Sequence, residues 1–237
     1  MFKNLTLAIL VAFAFTTSAQ QLVTPSFTVS SKKTSFITLK DGKKIEGNMK
    51  SLDRNKGLIE EVKIKDFAGK KHKIDAEDID FMYLPISGLE KLNQKMDFAT
   101  DMQQWDDPAI ESDLLKDGYA YYENATVKLK KKTERLMMQL LNPTFSKNVK
   151  IYHDPRAKET TSWGVGGIKM AGGDAKSYYV MKGDDPAYLV KKKEYDEEFV
   201  ALWGDCGKDF IKLYEDAEVS WYDLALHAVD YSKCMEK

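Results

Sequence analysis

Residues 35–84 read SFITLKDGKKIEGNMKSLDRNKGLIEEVKIKDFAGKKHKIDAEDIDFMYL, and the fold turns on this stretch. Phe36-Ile37-Thr38-Leu39 is β-branched and aromatic and runs into Asp41-Gly42, a strong hairpin signal. Ile45, Gly47 and Met49 then alternate with Glu46, Asn48 and Lys50, the period-2 pattern of a half-buried strand. Asp53-Arg54-Asn55-Lys56-Gly57 makes a second turn. Leu58 and Ile59 open a strand in which Val62 and Ile64 alternate with Lys63 and Lys65. Phe67-Ala68-Gly69-Lys70 turns again, and Ile74 leads on to Ile79, Phe81, Tyr83 and Leu84. Four or five strands at roughly ten-residue spacing predict a small β-barrel or a strongly curled antiparallel sheet.

FITLKDGKKIEG, followed by a second Gly-centred hairpin, resembles the first half of an Sm-like, SH3-type small barrel. In that family the second motif brings a basic residue and a glycine to the nucleotide. Here the corresponding place is Ile74-Asp75-Ala76-Glu77-Asp78-Ile79, whose carboxylates would repel phosphate. The resemblance implies a barrel without RNA binding, and no nucleic-acid partner is expected.

Outward from this stretch, Met1–Ala19 reads as a signal peptide. Lys3 precedes the apolar run LTLAILVAFAF at residues 5–15, and Thr17-Ser18-Ala19 supplies small residues before a cut. An uncleaved anchor is the other reading, but the run is short for a membrane span. Residues 20–33 are polar with one proline, a flexible leader that pairs at its end. Roughly 218 residues follow the expected cut, enough for one large or two small domains with their own cores. The chain holds 36 basic and 37 acidic residues, a balance that calls for no polyanionic partner. Lys128–Lys132 is a local basic run, read as a solvated face.

From Ser87 the period becomes helical. Leu89, Leu92, Met96, Ala99 and Met102 share a face, Ser87 and Glu90 fit a capping box, and Asp106-Asp107-Pro108 ends the helix near Trp105. The methionine stripe is core packing. Residues 34–105 therefore read as a small barrel-like domain with a trailing helix. Residues 106–118 read as a linker in which Ile110, Leu114 and Leu115 fit one helical turn. Residues 119–237 read as an antiparallel β part with C-terminal helices. In this last part Tyr119–Tyr122, Ala125–Leu129 and Val149–Tyr152 are strands, and Leu136–Leu141 fits either a strand or a helical turn. Ser177–Met181 and Ala187–Val190 form a hairpin across Gly183-Asp184-Asp185-Pro186. Tyr195, Phe199, Leu202, Trp203, Phe210 and Tyr214 then share a helical face that Gly204 and Gly207 interrupt, and Ser220 caps a last helix. The fold class is α+β.

Trp163–Gly173, WGVGGIKMAGG, has five glycines in eleven residues. It fails as a phosphate loop, because Gly173 stands where the lysine must be, and no G-x-G-x-x-G is present. It reads as a glycine-rich hairpin. Trp163, Gly164, Gly166 and Gly167 are its candidate binding residues, with Trp163 as an exposed anchor. His72, His153 and His227 are scattered without ligand spacing, so no metal is expected. No cofactor is expected either.

Cys206 and Cys234 are the two cysteines. An even count in an exported chain favours a disulfide that staples the last helix to the one before. Two buried free thiols, or a reactive Cys206 at a helix start, are the other readings. The leader ending in Ala-Gln, the small sheet, Lys176-Ser177-Tyr178-Tyr179-Val180, Asp205-Cys206 and Tyr231-x-x-Cys234 together are similar to uncharacterised secreted proteins of Bacteroidetes-type bacteria. That resemblance implies an extracytoplasmic location, periplasmic or secreted, and paired cysteines. It implies no activity.

No residue set carries a catalytic signature. The leading expectation is a non-enzymatic binding or structural module of the cell envelope, whose partner is an envelope protein or surface component. The alternative is an extracytoplasmic hydrolase built on His153 and Asp154 near the Gly-rich loop, although G-x-S-x-G is lacking.

Overall fold

The computed structural model of the chain describes residues 21–87, 107–157, 163–165, 168–171, 175–215 and 219–236, with the two pieces at 163–171 described by backbone alone. The expected signal peptide at 1–19 and the helix through Trp105 lie outside the described residues.

The four or five expected strands form as five: β1 (Thr34–Leu39), β2 (Lys44–Asn55), β3 (Leu58–Asp66), β4 (Lys71–Asp75) and β5 (Ile79–Pro85). A 3₁₀ turn at Ala76–Asp78 separates the last two. Ile45, Gly47 and Met49 point inward and their neighbours outward, as the alternation requires. The second turn is tighter than the five residues expected. β2 continues through Asn55, and only Lys56 and Gly57, both at positive φ, reverse the chain. That is the two-residue turn whose twist suits a hairpin. Gly47 is required for another reason: a Cβ there would overlap the Lys65 carbonyl, so β2 and β3 approach closely only without a side chain.

These strands do not close by themselves. After a short helix, α1 (Ser112–Lys116), come β6 (Tyr119–Leu129) and β7 (Lys132–Gln139). β6 pairs with β5, β7 pairs with β6, and Ile59 of β3 pairs with Met137 of β7. With β1 between β2 and β5, and β2 against β3, six antiparallel strands form a closed barrel. β4 extends β3 beyond the point where β7 departs. The expected break at 106–118 therefore separates stretches of sequence but not of sheet, since residues 119–139 supply the closing strands. Leu136–Leu141 resolves as strand through Gln139, and the two expected strands at 119–129 are one.

A second sheet follows. Its strands are β8 (Val149–His153), β11 (Ser177–Lys182) and β12 (Tyr188–Lys191), in the order β12-β11-β8; between them β9 (Trp163–Val165) and β10 (Ile168–Ala171) pair as a separate hairpin. The helical end comprises α2 (Tyr195–Trp203), α3 (Lys208–Lys212) and α4 (Leu224–Met235). Gly204 and Gly207 bound the 3₁₀ turn that divides the first two, and Ser220 Oγ accepts from the Tyr222 N–H to cap the last turn. The Cys206–Cys234 disulfide is formed, with Cα atoms 6.1 Å apart, within the usual range for a bridge. It ties α4 to the turn after α2.

Two cores result. One fills the barrel: Ile37, Ile45, Met49, Val62, Ile64, Ile79 and Met82 are buried there, each side chain contributing about 1.5–3 kcal/mol by removal from water. The other lies outside the barrel wall, where Tyr83, Tyr121, Val127 and Met138 meet Val149, Ile151, Val180, Trp203 and Phe199. β5, β6 and β7 are thus covered on both faces, which explains the unbroken apolar runs Tyr119–Tyr122 and Leu136–Met138. Trp203, on the expected helical face, and Trp221 are both core residues.

Residues 21–33 depart from expectation. They are not a loose leader. The Val23 N–H donates to the Leu141 carbonyl, the Ser30 N–H to that of Pro85, and Val29 bridges Ile86. Val23 and Ser26 are buried. Periodicity could not show this, because the segment is held by isolated hydrogen bonds rather than as a strand.

Candidate functional site

The docked segment forms one side of a cavity at a mouth of the barrel. Its volume is about 160 Å³, and it lies among Ser26 and Phe27, Arg54 and Gly57 of the β2–β3 hairpin, and His153 and Pro155 at the end of β8. Ile59, Tyr122 and Met137, which belong to the barrel interior, reach it from below; Met138 and Gln139 complete the wall. Barrel mouths are a recurrent place for ligand sites.

The β2–β3 turn is pressed against the second part of the molecule here. A Cβ on Gly57 would come within 2.7 Å of Pro155 Cβ, so the turn reaches Pro155 only as glycine. Arg54 projects from the same hairpin, and its Nη1 donates to the Phe27 carbonyl at 3.1 Å. Phe27 in turn meets the His153 ring edge-on at 5.4 Å. The mouth is therefore framed by three segments far apart in sequence.

Gln139 is the polar centre of this wall. It is 3 % exposed and is paired across the sheet with Tyr122. Its Oε1 accepts from the Ser26 N–H at 2.9 Å and, at 3.3 Å, shares the Tyr122 hydroxyl proton with the Ser26 carbonyl, which lies nearer at 3.1 Å. A backbone N–H only donates, so these bonds fix which end of the amide faces Ser26. Among the described residues, Nε2 is buried without a hydrogen-bond partner. A buried, unpaired donor costs about 1–3 kcal/mol. Such groups are uncommon in folded proteins and call for an explanation.

Of the expected site residues, the glycine-rich set is described only in part, and His153 and Asp154 serve different surroundings. Trp163 and Gly164 lie on β9, whose backbone pairs with β10 through Val165↔Ile168 and Gly164↔Lys169. The glycine-rich segment is thus a hairpin with an irregularity near Ala171, in line with the simple reading of its composition. Gly166 and Gly167, and the Trp163 side chain, lie outside the described residues. His153 and Asp154 are adjacent but serve different surroundings. His153 lines the cavity, whereas Asp154 is buried and uses both oxygens structurally: Oδ2 accepts from Ser177 Oγ at 2.6 Å and Oδ1 from the Arg156 N–H at 3.0 Å. His72 Nε2 lies 2.8 Å from an Asp66 oxygen on the barrel. His227 is buried against Tyr195, with its Nδ1 2.7 Å from the hydroxyl.

Gln139 was not a sequence candidate. The signal available was a single amide inside the apolar run Leu136-Met137-Met138-Gln139-Leu140-Leu141, where a polar residue has no solvent face to occupy. Arg54 gave no signal at all, because an arginine near a hairpin turn is ordinary surface.

Compared with known proteins, the chain matches no family model, no curated protein and no solved structure.

Proposed function

We propose that the chain is an exported, non-enzymatic binding module of the cell envelope, and that the barrel-mouth cavity is where it takes its ligand. The observation carrying this reading is a cavity of about 160 Å³ at the barrel mouth, lined by apolar side chains and by Arg54 beside the buried Gln139. Rigid elements hold the cavity, since strands β3, β6 and β7 supply most of its floor. The disulfide supports an oxidising compartment, periplasmic or extracellular. Among the described residues no helix is long and apolar enough to cross a membrane.

A titration of the ¹⁵N-labelled protein with benzene-sized fragments tests the reading. Amide shifts concentrated at Ile59, Tyr122, Gln139 and His153 are expected. Fragments that leave those amides unmoved, together with ester or amide hydrolysis lost in His153→Ala, would replace it with the hydrolase reading.

A further inference from the structure

We propose that the ligand is a small monocarboxylate with a flat apolar body of benzene size; the inference rests on the binding-module reading above. Three properties of the cavity lead there. Its size comes first: a 150 Å³ apolar cavity accommodates benzene, and this one holds about 160 Å³. The ligand is one ring or its equivalent, not a sugar chain or a nucleotide.

The walls come second. Phe27, Ile59, Met137, Met138 and Pro155 present apolar surface. Methionine side chains adapt to irregular shapes and contact aromatic rings favourably. The ligand body is therefore apolar.

The polar groups come third, and their balance is one-sided. Gln139 Oε1 is already taken by Ser26 and Tyr122, and the Phe27 carbonyl by Arg54. The charged group in the lining is Arg54, whose guanidinium carries N–H groups beyond the one donated to Phe27. Among the described residues lining the cavity none is acidic. A lining with one cation and no carboxylate selects an anion. Guanidinium matches the planar two-oxygen geometry of carboxylate, and a lone arginine above apolar walls compensates one charge rather than the two of phosphate.

The test uses calorimetric or NMR titration with benzoate, benzyl alcohol and inorganic phosphate as probes. Benzoate is expected to bind at least tenfold more tightly than benzyl alcohol, and phosphate not to compete with it. Arg54→Gln, an exposed change, should weaken benzoate about tenfold and leave benzyl alcohol unaffected. Gln139→Glu keeps the acceptor for Ser26 and replaces the donor with a negative charge, and should abolish benzoate binding. Should that variant fail to fold, Arg54→Gln decides alone. Equal affinity for benzoate and benzyl alcohol, or competition by phosphate, overturns the carboxylate assignment while the binding-module reading stands. If no probe perturbs the cavity amides, both fall.

Discussion

The Tyr152 hydroxyl donates to Glu123 Oε1 at 2.6 Å, and this bond joins the second sheet to the barrel wall. Lys150 Nζ, on the same face of β8, reaches both Glu123 oxygens at 2.9 Å. Tyr121 adds a longer bond at 3.3 Å. Burial, reinforced by the Glu123 charge, pushes the Tyr152 hydroxyl far above its ordinary range, so it remains a donor.

Glu123→Ala would leave these donors facing an empty acceptor. We expect a loss of about 2–4 kcal/mol, and a smaller one for Glu123→Gln, which keeps an acceptor oxygen. Urea unfolding checks this. A change within 0.5 kcal/mol for the alanine variant, about the level of an ordinary surface substitution, would mean that apolar packing alone holds the two parts.

The disulfide closes a loop of 28 residues in sequence separation. On the chain-entropy account its loss costs about 3–4 kcal/mol. For a protein of this size that corresponds to a fall in Tm of roughly 10 °C. Calorimetric scans with and without reductant, and of the Cys206→Ala/Cys234→Ala double variant, should agree. An unchanged Tm would refute the stapling role.

His227 makes stability depend on pH in the acid range. Burial depresses its pKa from 6.5 to about 4, so the fold favours the neutral imidazole. In that form Nδ1 accepts from Tyr195, whose oxygen in turn accepts from the Trp203 indole N–H at 3.2 Å. Its contribution, about 3 kcal/mol by linkage, is complete above pH 6.5 and is lost as pH falls from 6.5 through 4, because the unfolded chain binds the proton first. His227→Phe should flatten the stability profile over that interval. Parallel profiles for the two proteins would disprove the assignment.

Gly57→Ala should destabilise by about 1–3 kcal/mol. The position combines a φ of +87° with the close approach to Pro155. Because the turn must retreat, Phe27 and Arg54 should shift with it, and amide exchange at Phe27 should quicken. Unaltered exchange would show that the turn and the docked segment are independent.

The strands from Phe36 to Asp75 were legible because each has one face in the barrel and one largely toward water, so alternation survives in the sequence. Cys206–Cys234, the Ser220 cap and the glycine breaks after Trp203 were legible for similarly local reasons. The closure of the barrel was not. Tyr119–Tyr122 and Leu136–Met138 are apolar on both faces, and an unbroken apolar run says only that a strand is buried, not beside which partner. The docking of Val23 and Ser26 left no trace either, because it depends on single bonds to Leu141 and Gln139 more than a hundred positions away. The cavity inherits that difficulty: its wall is assembled from segments that mean little separately.

The pairing of Ile59 with Met137 spans almost eighty positions, and it dictates an order of events for a chain that grows or emerges from its N-terminus. Until Gln139 is available, β3 and β5 each present an edge that β7 and β6 have yet to cover. Open edges of this kind invite pairing between molecules, and distant contacts form slowly. The early part of the chain is consequently an incomplete product, exposed for as long as its last two staves are missing. Fragments ending before residue 139 should aggregate where the whole chain does not, and a holding chaperone would have its work in that interval.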